Sequence, residues 1–304
     1  MVRTRSTCFA VFVGALALAG GSPAAPATNQ LYFATSQSGT LELYSVAGTG
    51  GTPTQLTHSA RDAFDPAPSP DGTKIAYAAC KADCTEFLFD PEGPLDDTAI
   101  FVMNANGSGA RQLTSWQSGA VHPTWSPDGK RIAYESSKGG SGSHIWVMNA
   151  DGSGAARLTA ETQEEDEDPA WSPDGKQIAF ARAGTIAVLT LAGGTVKTVV
   201  TGTNTSPVWS PDGKQLAFSR DAGHYQPDIY RVPAAGGTPT QVTHGAGTKL
   251  YPAWSADATH IAFVVCGEKC AGKSSNIDTV PATGGSSTVL VGSTTALQGW
   301  LAWR

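Results

Sequence analysis

A ten-residue phrase, Trp171-Ser-Pro-Asp-Gly-Lys-Gln-Ile-Ala-Phe180, recurs along the chain and leaves few folds open to it. The Trp closes one extended segment. Ser172-Pro173-Asp174-Gly175 then fits a type I turn with Pro second and Gly fourth, and Ile178 and Phe180 begin a segment with strand alternation. The unit is therefore strand, tight turn, returning strand. Copies start at Trp125 and Trp209, a looser one runs from Pro68 to Ile75, and a decayed one starts at Trp254.

With the turn aspartate as marker, the copies fall at Asp71, Asp128, Asp174, Asp212 and Asp257, at spacings of 57, 46, 38 and 45 residues. Short strands at a period of about 40 to 50 residues predict a propeller with one four-stranded blade per repeat. In the second marked repeat the strands, lettered A to D from the channel outward, are His122 to Ser126, Arg131 to Glu135, His144 to Met148 and Ala155 to Thr159. Asn149-Ala-Asp151-Gly152 and Asn104-Ala-Asn106-Gly107 read as the turns between C and D, because neither has the Glu at the twelfth position of a calcium loop.

The marked repeats do not exhaust the chain. Residues 30–36, 41–46 and 52–57 read as strands B, C and D with no A before them, and Leu301-Ala302-Trp303 repeats the Pro252-Ala253-Trp254 of another strand A. The expected fold is all-β, a six-bladed propeller of antiparallel four-stranded blades, its ring closed by N-terminal strands B, C and D plus a C-terminal strand A. The blades are expected at roughly 28–58 plus 296–304, 62–114, 120–159, 166–201, 204–243 and 249–291. The recurring Trp125, Trp171, Trp209, Trp254 and Trp303 are expected to pack between blades.

The first 27 residues stand apart from the repeats. Arg3 and Arg5 precede an apolar run from Cys8 to Ala19, and small residues follow to Ala27, the layout of a cleaved secretory signal peptide. The run is short for a membrane span and nothing later approaches one, so a periplasmic or secreted protein is expected. Without Arg3 and Arg5, 18 basic residues face 26 acidic ones, a surplus that argues against nucleic acid and suits a basic partner or divalent cations. The remaining cysteines form two short pairs, Cys80 with Cys84 and Cys266 with Cys270, each beginning nine residues after a turn aspartate. Two local disulfides are expected in an oxidising compartment, with a four-thiolate zinc site as the rival.

The motifs Pro-x-Trp-Ser-Pro-Asp-Gly-Lys-x-Ile-Ala-Phe, Ile-x-Val-Met-Asn-x-Asp-Gly and Arg-x-Leu-Thr together resemble the TolB-type propeller repeat over nearly the whole chain after residue 27. Relatives of that type include the TolB component of the Tol–Pal envelope system, whose propeller binds other proteins, the propellers that gate prolyl oligopeptidases, and oligogalacturonate lyases. TolB carries an α/β domain before its propeller, whereas strand patterning begins here at Leu31, so that domain is expected to be lacking. A Gly-x-Ser-x-Gly nucleophile elbow is not present, which argues against a peptidase.

Residues entering each strand A should ring one mouth of the central channel: Asp65, His122, Asp168, Ser206, Tyr251 and Trp300. Two carboxylates and a histidine admit three readings: a hydrated polar opening, a recognition site for a protein or peptide, or a metal or acid–base centre. The same face should collect the loop from Cys80 to Thr98, with Phe87 and Phe89, and an acidic run of Glu161, Glu164, Glu165, Asp166 and Glu167 suited to docking a basic segment. The function expected is an exported, non-catalytic protein-interaction module, monomeric and without cofactor. The alternatives are a metal-dependent hydrolase or lyase on a polyanionic or carbohydrate substrate, and a small-ligand sensor.

Overall fold

The computed structural model describes residues 29–36, 40–81, 97–139, 142–160, 164–223, 226–267, 275–294 and 297–304. The expected signal peptide, Cys84, Cys270, Phe87, Phe89 and Glu161 lie outside the described residues. Six four-stranded antiparallel sheets make up the ring. The first blade holds β1 (Gln30–Thr35), β2 (Glu42–Ala47) and β3 (Thr54–Gln55). The second holds β4 (Ala63–Pro68), β5 (Lys74–Cys80), β6 (Thr98–Asn104) and β7 (Arg111–Gln112). The third holds β8 (Ala120–Trp125), β9 (Arg131–Ser136), β10 (His144–Asn149) and β11 (Ala156–Arg157). The fourth holds β12 (Asp166–Trp171), β13 (Gln177–Arg182), β14 (Thr185–Thr190) and β15 (Thr195–Val200). The fifth holds β16 (Thr203–Trp209), β17 (Gln215–Asp221), β18 (Asp228–Pro233) and β19 (Thr240–Gln241). The sixth holds β20 (Thr248–Trp254), β21 (His260–Cys266), β22 (Ser275–Pro281) and β23 (Thr288–Thr294). The last strand, β24 (Leu297–Trp303), pairs antiparallel with β1 as the innermost strand of the first blade, which closes the ring as the sequence predicts.

The repeated phrase folds as it does because its polar atoms satisfy one another. In the third blade Ser126 Oγ donates to Asp128 Oδ1 at 2.6 Å and accepts from the Arg131 N–H at 2.9 Å. The Lys130 N–H also donates to Asp128 Oδ1, and the Gly129 N–H closes the turn on Ser126 O at 2.8 Å. Gly129 sits at φ +69°, where a Cβ is unfavourable. The decayed copy keeps the turn with Ala258 in that place at φ +59°. The Leu-Thr motif is explained as well: the hydroxyls of Thr57, Thr114, Thr159 and Thr243 accept the N–H of Leu43, Ile100, Ile145 and Ile229, tying the outer end of four of the blades to strand C.

Each strand B is sandwiched between neighbouring blades and is buried on both faces. Ile75 to Ala79, Ile178 to Ala181 and Ile261 to Val264 are all nearly inaccessible. A large residue alternates with alanine in these stretches, so one face fills the gap to the next blade while the other permits close approach. Trp171, Trp209 and Trp254 are buried beside this packing, as expected, while Trp125 and Trp303 are only partly covered. Cys80 and Cys266 end β5 and β21 as buried residues. Among the described residues no helix is long and apolar enough to cross a membrane.

Candidate functional site at the channel mouth

The sequence register places one residue of each strand A at the same point, and the backbone marks that point. Asp65, His122, Asp168, Ser206 and Tyr251 all adopt φ between +52° and +59°, and each precedes a proline. The strand A to B ladder skips register across each of them, and also across Trp300, which lies between the Gln298 and Ala302 pairings of β24. The following proline has no N–H to give to strand B, so a bulge costs the ladder little there. The left-handed conformation itself costs a non-glycine residue about 1–2 kcal/mol. Five such residues in one ring concentrate backbone strain where the strands turn toward the channel, a distribution associated with functional sites.

Carboxylates hold that ring together. Asp65 Oδ2 accepts the His122 N–H at 3.3 Å, Glu135 Oε2 accepts the Asp168 N–H at 3.3 Å, and Asp168 Oδ2 accepts the Ser206 N–H at 2.8 Å. Each bond links one blade to the strained residue of the next. The imidazole of His122 sits among the same groups. Its Nδ1 lies 2.9 Å from Glu135 Oε2 and 3.3 Å from Asp168 Oδ1, and its Nε2 lies 3.4 Å from Asp65 Oδ2. Asp65, Glu135 and Asp168 are buried, whereas the His122 side chain keeps 24% of its surface, so the imidazole is the member of the cluster that solvent reaches most easily.

Protonation follows from this crowding. Burial alone would lower the His122 pKa, but Asp65, Glu135 and Asp168 outweigh it and raise the value to about 10. Burial pushes Asp168 up to about 8, opposed by His122 and reinforced by Glu135 and Glu167. Burial, with help from Glu135, also raises Glu167 to about 7. The Tyr251 phenol is held well above its usual value by burial and by Asp65 and Asp168. Four carboxyl groups thus share one imidazolium, two of them held partly protonated, and the mouth is short of positive charge.

The ring predicted from sequence is brought together in part. Asp65, His122 and Asp168 meet directly, Ser206 joins through its backbone, and Tyr251 joins through the field of the two aspartates; the Trp300 side chain is outside the described residues. Glu135 was not among the expected residues. It occupies a strand B position held elsewhere by Ala78, Ala181, Ser219 and Val264, and a charge at an otherwise small or apolar position was the available clue.

The expectation of an acidic docking run needs correcting at Asp166. It is buried at the start of β12 and grips Arg182 bidentately at 2.5 and 2.8 Å, so it holds the blade rather than a partner. Glu164 and Glu165 are exposed, and Glu167 is half-buried in β12. One donor atom each from His122, Glu135 and Asp168 lie within 4.8 Å of one another, a set that fits a small divalent cation once the imidazolium gives up its proton.

Comparison with known proteins agrees with the architecture. The family model described as TolB beta propeller domain matches residues 93–185 and 168–288. A TolB homolog of Chlorobium luteolum is 27% identical over 145 residues, covering 37% of this chain and 33% of its own. The dipeptidyl-peptidase 5 of Porphyromonas gingivalis is 38% identical over 73 residues, covering 24% of this chain and 10% of its own. The curated relatives are thus matched over only 10% to 38% of their length. Among solved structures, TolB from Acinetobacter baumannii superposes with a TM-score of 0.72 at 19% identity, covering 91% of this chain and 67% of that one. An oligogalacturonate lyase in complex with manganese gives 0.56 at 14% identity, covering 79% and 71%.

Proposed function

The chain belongs to the TolB beta propeller domain family, and from that premise we propose that it works as an exported protein-interaction module of the cell envelope whose channel mouth receives a basic segment of a partner protein. The observation that carries this reading is the crowding of acids at the mouth, where the carboxylates of Asp65 and Glu135 and the carboxyls of Asp168 and Glu167, both pushed up by burial, share the single imidazolium of His122. A lysine or arginine entering the channel lets Asp168 and Glu167 give up their protons and pair with it, and the exposed Glu164 and Glu165 beside them steer it in. The backbone ring is already in its strained conformation, so little is spent on ordering the site when a partner binds.

Cross-linking the chain in envelope extract, next to a variant carrying Glu164→Gln, Glu165→Gln and Asp168→Asn, tests the proposal. A partner captured by the first and lost by the second supports it, provided that binding weakens with added salt. Equal capture by both, or none by either, rejects it. A second reading, a metal-dependent hydrolase or lyase on a polyanionic or carbohydrate substrate, is favoured by the proximity of His122, Glu135 and Asp168. A stoichiometric divalent metal that is lost in His122→Ala and Asp168→Ala supports that reading instead.

A further inference from the structure

The opposite face of the ring, where the turns between strands A and B gather, holds a cavity of 550 Å³ between the second and third blades. Trp125, one of the two repeat tryptophans that are only partly covered, lines it. Trp171, Trp209 and Trp254 are buried at 6–9% exposure, and the Arg131 guanidinium of the third blade lies 4.8 Å from the centre of the Trp171 ring. The equivalent of Arg131 one blade earlier is Lys74, which lines the cavity together with Trp125. Its ammonium is drawn aside to Asn104 Oδ1 at 2.6 Å, and the Trp125 ring remains open to the cavity. The indole is fixed in place by its Nε1–H, which donates to Ala67 O at 3.0 Å across the blade boundary.

The rim is polar and balanced in charge. Asp71 and Asp128, equivalent turn residues of adjacent blades, line one part, and Lys74 and Arg111 line another. In both aspartates the turn's own hydrogen bonds fall on Oδ1, from Ser69 and Thr73 in one and from Ser126 and Lys130 in the other. Met103 adds an apolar floor. The volume falls within the roughly 300–1,000 Å³ typical of small-ligand sites.

We propose that this cavity binds a short neutral oligosaccharide, one sugar ring stacked on Trp125 and its hydroxyls bridging Asp71 and Asp128 on one side and Lys74 and Arg111 on the other. An aromatic face with fixed acceptors and donors around it suits a ring that is apolar on its flat side and carries hydroxyls at its edge. Two anions against two cations give no net preference for a charged ligand, which separates this site from the anionic mouth.

The test is titration of the full chain with maltotriose, cellotriose and chitotriose, read by intrinsic tryptophan fluorescence. At least one sugar should shift the emission saturably. Lys74→Arg, which recreates the cover seen over Trp171, and Trp125→Phe should each weaken that response about tenfold. Lys74→Arg alters only an exposed side chain, so it keeps the test valid if Trp125→Phe folds poorly. Asp168→Asn at the mouth should leave the response unchanged. No response to any of the three sugars overturns the proposal, and so does a response that both cavity variants retain in full.

Discussion

Removing residues 297–304 tests the closure of the ring most directly. The deletion takes away β24, whose Leu301 is 6% exposed and packs in one cluster with Leu31, Phe33 and Val264. Losing Leu301 and uncovering Leu31 and Phe33, both at or near zero exposure, forfeits about 1.5–3 kcal/mol for each of the three side chains. Two backbone bonds between Gln30 and Arg304 and the Trp303 Nε1–H bond to Asn29 go as well, each worth about 1 kcal/mol. The sum, about 7–12 kcal/mol, is comparable with the whole stability of an ordinary domain. The truncated chain should melt at least about 14 °C lower by circular dichroism, or not fold. Its free β1 edge should promote oligomers on size-exclusion chromatography. A single Leu301→Ala change should cost about 2–5 kcal/mol and leave the chain monomeric. A truncated protein that melts within a few degrees of the full chain refutes the reasoning, because β1 would then not depend on β24.

Three further outcomes follow from the geometry. Trp171→Ala should lower stability by about 3–5 kcal/mol in denaturant titrations, and Trp125→Ala by clearly less, since only the first ring is buried and covered. Ala258→Gly should raise stability by about 0.5–1 kcal/mol, because the left-handed turn position at φ +59° costs alanine more than the added chain freedom costs glycine. Stability should fall as pH rises from about 4 to about 10. Folded His122 holds its proton up to about 10 against 6.5 unfolded, so its contribution is complete below 6.5 and lost through about 10, while Asp168 stays protonated up to about 8 and loses its share between about 4 and 8. Asp168→Asn should flatten the lower part of that slope in thermal melts at stepped pH, and a stability that climbs with pH in this window contradicts the assignment.

The blade repeat was legible because its information is local. Ser-Pro-Asp-Gly closes a turn with its own side chains and backbone, the threonine of Leu-Thr bonds within its own blade, and alternation along strand B states which residues face a neighbouring blade. Counting these units accounted for five blades, and the three unmatched strands at the start with the single one at the end implied a sixth blade and the closure. The same register singled out Asp65, His122, Asp168, Ser206 and Tyr251, since a common place in the repeat means a common place around the axis. What sequence could not supply is which groups from different strands and blades come within bonding distance. Glu135 meets His122 across the pairing of β8 with β9, and it reaches the Asp168 N–H only because the third and fourth blades are set side by side around the channel. Asp166 looked like part of a charged loop until the pairing of β12 with β13 brought Arg182 against it. Lys74 turning to Asn104, beside the partly covered Trp125, is likewise a choice between neighbours that no local pattern records. Turns and strands are settled by contacts a few residues apart, so the chain states them outright. The protonation of the mouth and the open cavity depend on distances between residues from different blades, and those exist only once the ring has closed.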